Sequence, residues 1–155
     1  MNDKQRIAEN LDVITAGGID IMAVFYETLF ARHPELRSLF RRSAVAQQRM
    51  VLQAILAVVE HMEDAAWLRG TLRPLGAKHL AYGVAEAMYP MVAEALITTL
   101  AQASGSSWNE EIEGAWTRAI TAVAGEMIAG ARLVELSDSG PTTQPSPDSP
   151  LPPSA

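Results

Sequence analysis

Apolar residues recur along this chain at intervals of three and four, and not in alternation. That is the period of a helix buried on one face, not of a half-buried strand. Val51, Ile55, Val58 and Met62 stand at i, i+4, i+7 and i+11. Leu68, Leu72, Leu75 and His79 keep a similar rhythm, as do Tyr89, Val92, Leu96 and Leu100, and again Ile112, Trp116, Val123 and Met127. The pattern predicts helices over about 4–15, 19–32, 44–62 and 66–80, one starting near Ala85, and a last one starting near Ser107. Punctuation agrees with the rhythm. Gly17-Gly18 and Gly83 end helices, Pro34 opens a short helical turn through Phe40, and Ser43 is placed to cap the third helix. Ser107 and Glu110 have the spacing of a capping box. Pro74 lies inside a helical stretch and predicts a break or kink near Arg73, whereas Pro90 falls in the first turns of its helix, where proline is better tolerated. The expectation is an all-α protein of seven or eight helices packed at steep angles around a pocket.

Composition divides the chain into a folded domain, 1–136, and a tail, 137–155. The tail is rich in Pro, Ser and Thr and has one large apolar residue, Leu151, so it is expected to be disordered. The net charge of −6 argues against nucleic acid as a partner and supplies no polybasic surface for anionic lipid. There is no cysteine, which excludes disulfides, thiolate metal sites and thiol nucleophiles. No signal-peptide pattern and no run approaching the roughly 20 apolar residues of a membrane span is visible. A cytoplasmic location is the expectation, with no membrane association.

His79 is the candidate for chemistry. It continues the stripe of Leu68, Leu72 and Leu75 and therefore faces inward. Alone, such a histidine reads as a satisfied core residue. Its place in the last turn before Gly83-Val84 lets an inward imidazole reach the edge of a cofactor, and its surrounding string, LGAKHLAYGV followed by Tyr89-Pro90, carries more.

That string resembles the proximal segment of bacterial single-domain globins and of the haem domain of flavohaemoglobins. FYETLFARHPELRSLF is similar to the second helix and following corner of the same group, AQQRMVLQAILAVVEHM to its distal helix, and Trp116 in EGAWTRAI stands where those proteins carry a last-helix tryptophan. Four segments agree in order and spacing over about 7–131. The resemblance implies a haem b held by His79 as proximal ligand, with the other ring N–H donating to a carbonyl near Leu75. It makes Phe40 the aromatic against the haem plane, Tyr26 and Gln47 the distal pair, and Val51 the residue pressing on the ligand side. Val84 would touch the haem edge, and Lys78 would reach a propionate unless it faces solvent. Tyr89 matches the tyrosine that flavohaemoglobins pair with the proximal histidine. The glutamate of that arrangement is replaced by Ala131, with Glu126 and Glu135 out of register, which weakens the case for peroxidase-like chemistry and leaves Tyr89 open as a packing residue.

The distal pair also has a physical logic. Ferrous haem passes electron density to dioxygen, and donors fixed in an apolar pocket stabilise the resulting charge. Without the resemblance, Tyr26 reads as a core tyrosine and Gln47 as a surface residue with Gln48 as its competitor; Gln47 is preferred because it precedes Val51 and Ile55 by four and eight. Reversible binding of dioxygen, nitric oxide or carbon monoxide is the leading expectation, serving storage, delivery or scavenging, by a monomer or a homodimer. No residue is assigned as catalytic. Nitric oxide dioxygenation dependent on a separate reductase is the enzyme alternative, and a haem-free sensor or interaction module the third. His33 at its corner and His61 near the end of the third helix read as surface residues.

Overall fold

The computed structural model describes residues 1–40 and 44–138. Its described residues form six α-helices and two short 3-10 turns, with no strand among them: α1 (Asp3–Ala16), α2 (Ile21–Arg32), a turn at Pro34–Leu39, α3 (Ala44–Glu60), α4 (Ala65–Ala81), α5 (Met88–Ser104), a turn at Gly105–Ser107, and α6 (Glu110–Asp138). The Ser43 cap and the tail beyond 138 lie outside the described residues.

Side chains that satisfy the free N–H groups set the helix starts. Asn2 and Gln5 form a reciprocal capping box on α1, and Asp20 and Asp64 accept from the amides of Ala23 and Trp67 to start α2 and α4. The expected Ser107–Glu110 box is not the cap of α6. Ser107 sits in a 3-10 turn with its hydroxyl on the Ser104 carbonyl, and the cap is Asn109, whose Oδ1 accepts from Ile112 N–H at 2.9 Å. Trp108 is extended, and two residues separate the end of the turn from the helix. The helix expected from Ala85 starts at Met88, leaving 82–87 as a loop. The break expected near Arg73 is absent, and α4 runs unbroken through Pro74. Gly70 and Pro74 are both exposed, so the Gly70 carbonyl that loses its helical donor to the proline can be satisfied by water.

The main core joins α1, α2, α5 and the first half of α6, with Ile7, Ile14, Phe25, Leu29, Leu100 and Trp116 at its centre. A buried polar chain runs through it. Trp116 Nε1–H donates to Asn10 Oδ1 at 2.9 Å, Asn10 Nδ2 donates to Ser104 Oγ at 2.8 Å, and that hydroxyl donates to the Leu100 carbonyl at 2.7 Å. Trp can only donate, so Asn10 must present its oxygen to Trp116 and its amide to Ser104.

α4 is held differently. It runs antiparallel along the second half of α6, with no comparable contact to another described helix. Two glycines allow the approach: a Cβ on Gly76 would lie 1.9 Å from the Met127 carbonyl oxygen, and one on Gly130 would lie 2.0 Å from the Arg73 carbonyl oxygen. An ion pair between Arg73 and Glu126, 2.9 Å, flanks this contact. α3, in contrast, packs on α1 and α2 and makes no extensive contact with α4 among the described residues.

Candidate functional site

His79 occupies the last turn of α4 and is half-buried. Its Nδ1 lies 2.8 Å from the Leu75 carbonyl oxygen, the contact anticipated one turn back. A carbonyl only accepts, so Nδ1 carries the proton and the neutral ring keeps its lone pair on Nε2, the form that ligates a metal. The backbone around the histidine is equally fixed. Val84 N–H donates to the His79 carbonyl and Gly83 N–H to the Leu80 carbonyl, both at 3.0 Å. This is the 6→1 and 5→2 pair of a Schellman cap, and Gly83 supplies its left-handed residue at φ +96°. The imidazole is also 6.0 Å from the ring of Tyr82, which is largely exposed.

Val84 and Tyr89 lie together on a cavity of about 260 Å³, which Leu80, Ala131 and Glu135 also line. The Tyr89 hydroxyl is buried with no hydrogen-bond partner among the described residues. Burial, and secondarily the Glu86 carboxylate, push its pKa above the ordinary 10.0. Glu86 itself is bound by Arg132 of α6, whose hydrogen bonds lower the carboxyl's pKa and are matched by a rise in that of the guanidinium.

α2 and the corner after it carry an aromatic cluster. Tyr26 is buried in α2, with ring centroids 5.2 Å from Phe25, 5.7 Å from Phe30 and 5.3 Å from Phe40, the last edge-on. Arg37 covers the Phe30 ring at 4.8 Å. Val51 of α3 is half-buried against the same core. Gln47 lies one turn earlier on α3, and its side chain is outside the described residues. Thus the structure brings Tyr26 to Phe40, Leu75 to His79, and Val84 to Tyr89. Lys78 is exposed in the last turn of α4.

His61 is not a free surface residue. Its ring stacks on Trp67 at 3.8 Å and 8°, with Nδ1 2.8 Å from the Ala57 carbonyl. His33, half-buried, faces Glu35 at 3.6 Å. Sequence reasoning missed Asn10, Glu86, Arg132 and the two glycines. Asn10 had a signal, a polar residue at i+3 from Ile7 and i−4 from Ile14 on an otherwise apolar stripe. The others make contacts between segments far apart in sequence, which no local period encodes.

The residues fit a haem. Among the described residues no three His, Asp or Glu side chains cluster to hold a metal, so an ion at His79 must bring most of its own ligands, as a porphyrin does. The imidazole offers one lone pair. Apolar side chains of α3 and α5, among them Ile55, Met88, Met91, Val92 and Leu96, remain only partly buried, as the walls of an apolar disc's site would be without it.

Comparison with known proteins follows the same line. A family model described as Globin matches residues 23–127. A flavohemoprotein of Rhizobium meliloti is 28% identical over 130 residues, 82% of this chain and 32% of that protein; one of Deinococcus radiodurans is 29% identical over 128 residues, 81% and 32%. The chain thus spans about a third of the length of the curated relatives it matches. Among solved structures, an engineered carbene transferase from Rhodothermus marinus superposes with a TM-score of 0.76 at 24% identity, covering 88% of this chain and 96% of that one. A bacterial globin from Campylobacter jejuni gives 0.72 at 23%, covering 88% and 97%. At these identities the structures speak for the fold, and the match over 23–127 speaks for the family: the chain belongs to the globins.

Proposed function

We propose that the chain holds one haem b between α3 and α4, with His79 Nε2 as the nitrogen that would ligate its iron, and binds dioxygen reversibly. The observation that carries this reading is the 2.8 Å hydrogen bond from His79 Nδ1–H to the Leu75 carbonyl, which leaves Nε2 as the coordinating nitrogen. Bound haem would supply an iron that can take up a diatomic gas. Leu75 and Val84 hold His79 through hydrogen bonds to their backbone, and Tyr89 lines one cavity with Val84. Phe40 and Val51 limit the space on the gas side, Tyr26 and Gln47 supply hydrogen-bond donors there, and Lys78 meets a propionate at the rim. A donor to a charged acceptor is worth about 1.5–3 kcal/mol, so each distal donor slows gas release about ten- to hundredfold.

Absorbance spectroscopy of the purified protein tests the first half: a Soret band is expected, lost or grossly altered in His79→Ala. Failure to take up haem on reconstitution would overturn the reading in favour of a haem-free module. Tyr26→Phe and Gln47→Leu should each speed dioxygen release in flash-photolysis or stopped-flow traces, and unchanged off-rates would remove the distal assignment. Nitric oxide dioxygenation with electrons from a separate reductase is a second reading, favoured by relatives that carry the name flavohemoprotein. Rapid mixing of the oxygenated protein with nitric oxide, followed by re-reduction with added reductase, decides it.

A further inference from the structure

We propose that Arg132 is a positioning residue for His79, acting through Glu86. The guanidinium of Arg132 on α6 meets the Glu86 carboxylate in two parallel hydrogen bonds, Nε to Oε1 at 2.6 Å and Nη2 to Oε2 at 2.9 Å. Such a fork fixes direction as well as distance, which a lysine cannot reproduce. Glu86 lies in the loop 82–87, two residues after Val84, whose N–H holds the His79 carbonyl. Its own carbonyl accepts from Tyr89 N–H at the start of α5. α6 therefore grips the proximal segment twice. Gly130 lets it touch the Arg73 backbone before the histidine, and Arg132, two residues on, holds the loop after it. His79 lies between the two grips, on a helix with no other extensive neighbour among the described residues. Exposed ion pairs add little to global stability, but this one has only to resist local opening of a short loop.

This inference rests on His79 as haem ligand for one arm of its test and not for the other. The first arm is amide exchange by NMR on the full chain. Arg132→Ala should speed exchange at Val84 about three- to fivefold, leave the α1 and α2 amides unchanged, and lose its effect at high salt, where the pair is screened. Arg132→Lys should recover only part of the protection, and the exchanged pair, Glu86→Arg with Arg132→Glu, should recover more. The second arm is haem release to a scavenger and the iron–histidine stretching frequency of the gas-free ferrous protein. Release should quicken by a similar factor and the frequency should shift. Unchanged exchange at Val84 in both Arg132→Ala and Glu86→Gln would overturn the proposal. If the chain takes up no haem, the haem reading fails while the exchange arm still decides this one.

Discussion

At the scale of single residues, the strongest constraint lies away from His79. Asn10 is almost fully buried and connects three helices by using both ends of its amide. Asn10→Ala strands the Trp116 N–H and reopens the Ser104 hydroxyl; with about 1–3 kcal/mol for each unsatisfied buried group, a loss of about 2–4 kcal/mol is expected in urea denaturation. Trp116→Phe, which leaves only Asn10 Oδ1 unpaired, should cost less. Tyr89 gives a test with pH. Its pKa is raised by burial, so the folded state holds the phenolic proton more tightly than the unfolded state. Stability from this group is therefore complete below the ordinary value of 10.0 and is lost as pH rises through the raised one. Tyr89→Phe should remove that part of the alkaline loss, read as a flatter melting temperature against pH. The hydrogen bond between His79 and the Leu75 carbonyl was legible from sequence because both residues belong to one local stripe. Asn10 was hidden because its meaning depends on Ser104 and Trp116, some hundred residues distant.

At the scale of helices, the contact between α4 and α6 decides where the proximal segment sits. Gly76 and Gly130 each face backbone, not the end of a flexible side chain, so a methyl group at either place can be accommodated only if the helices separate. Gly130→Ala is expected to destabilise the fold by about 1–3 kcal/mol or more by this crowding, despite alanine's better helix propensity. Gly125→Ala is the control on the same helix. Nothing lies within 4 Å of its would-be Cβ, so the substitution should be neutral or stabilising by up to about 1 kcal/mol. If both variants melt alike, backbone contact is not what the glycine provides. The period of apolar residues located α4 and α6 but could not pair them, since a glycine in a helix reads as a weak position until its neighbour is known. The misplaced cap of α6 has a similar origin. Ser107 and Asn109 are both competent caps, and the 3-10 turn that engages the Ser107 hydroxyl chose between them.

At the scale of the whole molecule, the two walls of the proposed haem site belong to different packing units. α3 and the aromatic cluster lean on the main core, whereas α4 leans on the far half of α6. A haem ligated by His79 and packed against Phe40 and Val51 would join them, so the proposed cofactor is also a structural bridge. Anything that binds only the folded state stabilises it by mass action, about 4 kcal/mol when present at a thousand times its dissociation constant. The expected result is a haem-free form that melts well below the haem-loaded one, with the loss unevenly distributed. Hydrogen exchange on the two forms should show the largest gain of protection in α3, the end of α4 and the loop 82–87, and the smallest in α1, α2 and the first half of α6, where the Asn10 chain closes a core that needs no ligand. Protection that rises evenly along the chain would mean that the walls are already coupled without haem. Protection confined to α4 would mean that α3 does not take part in holding it.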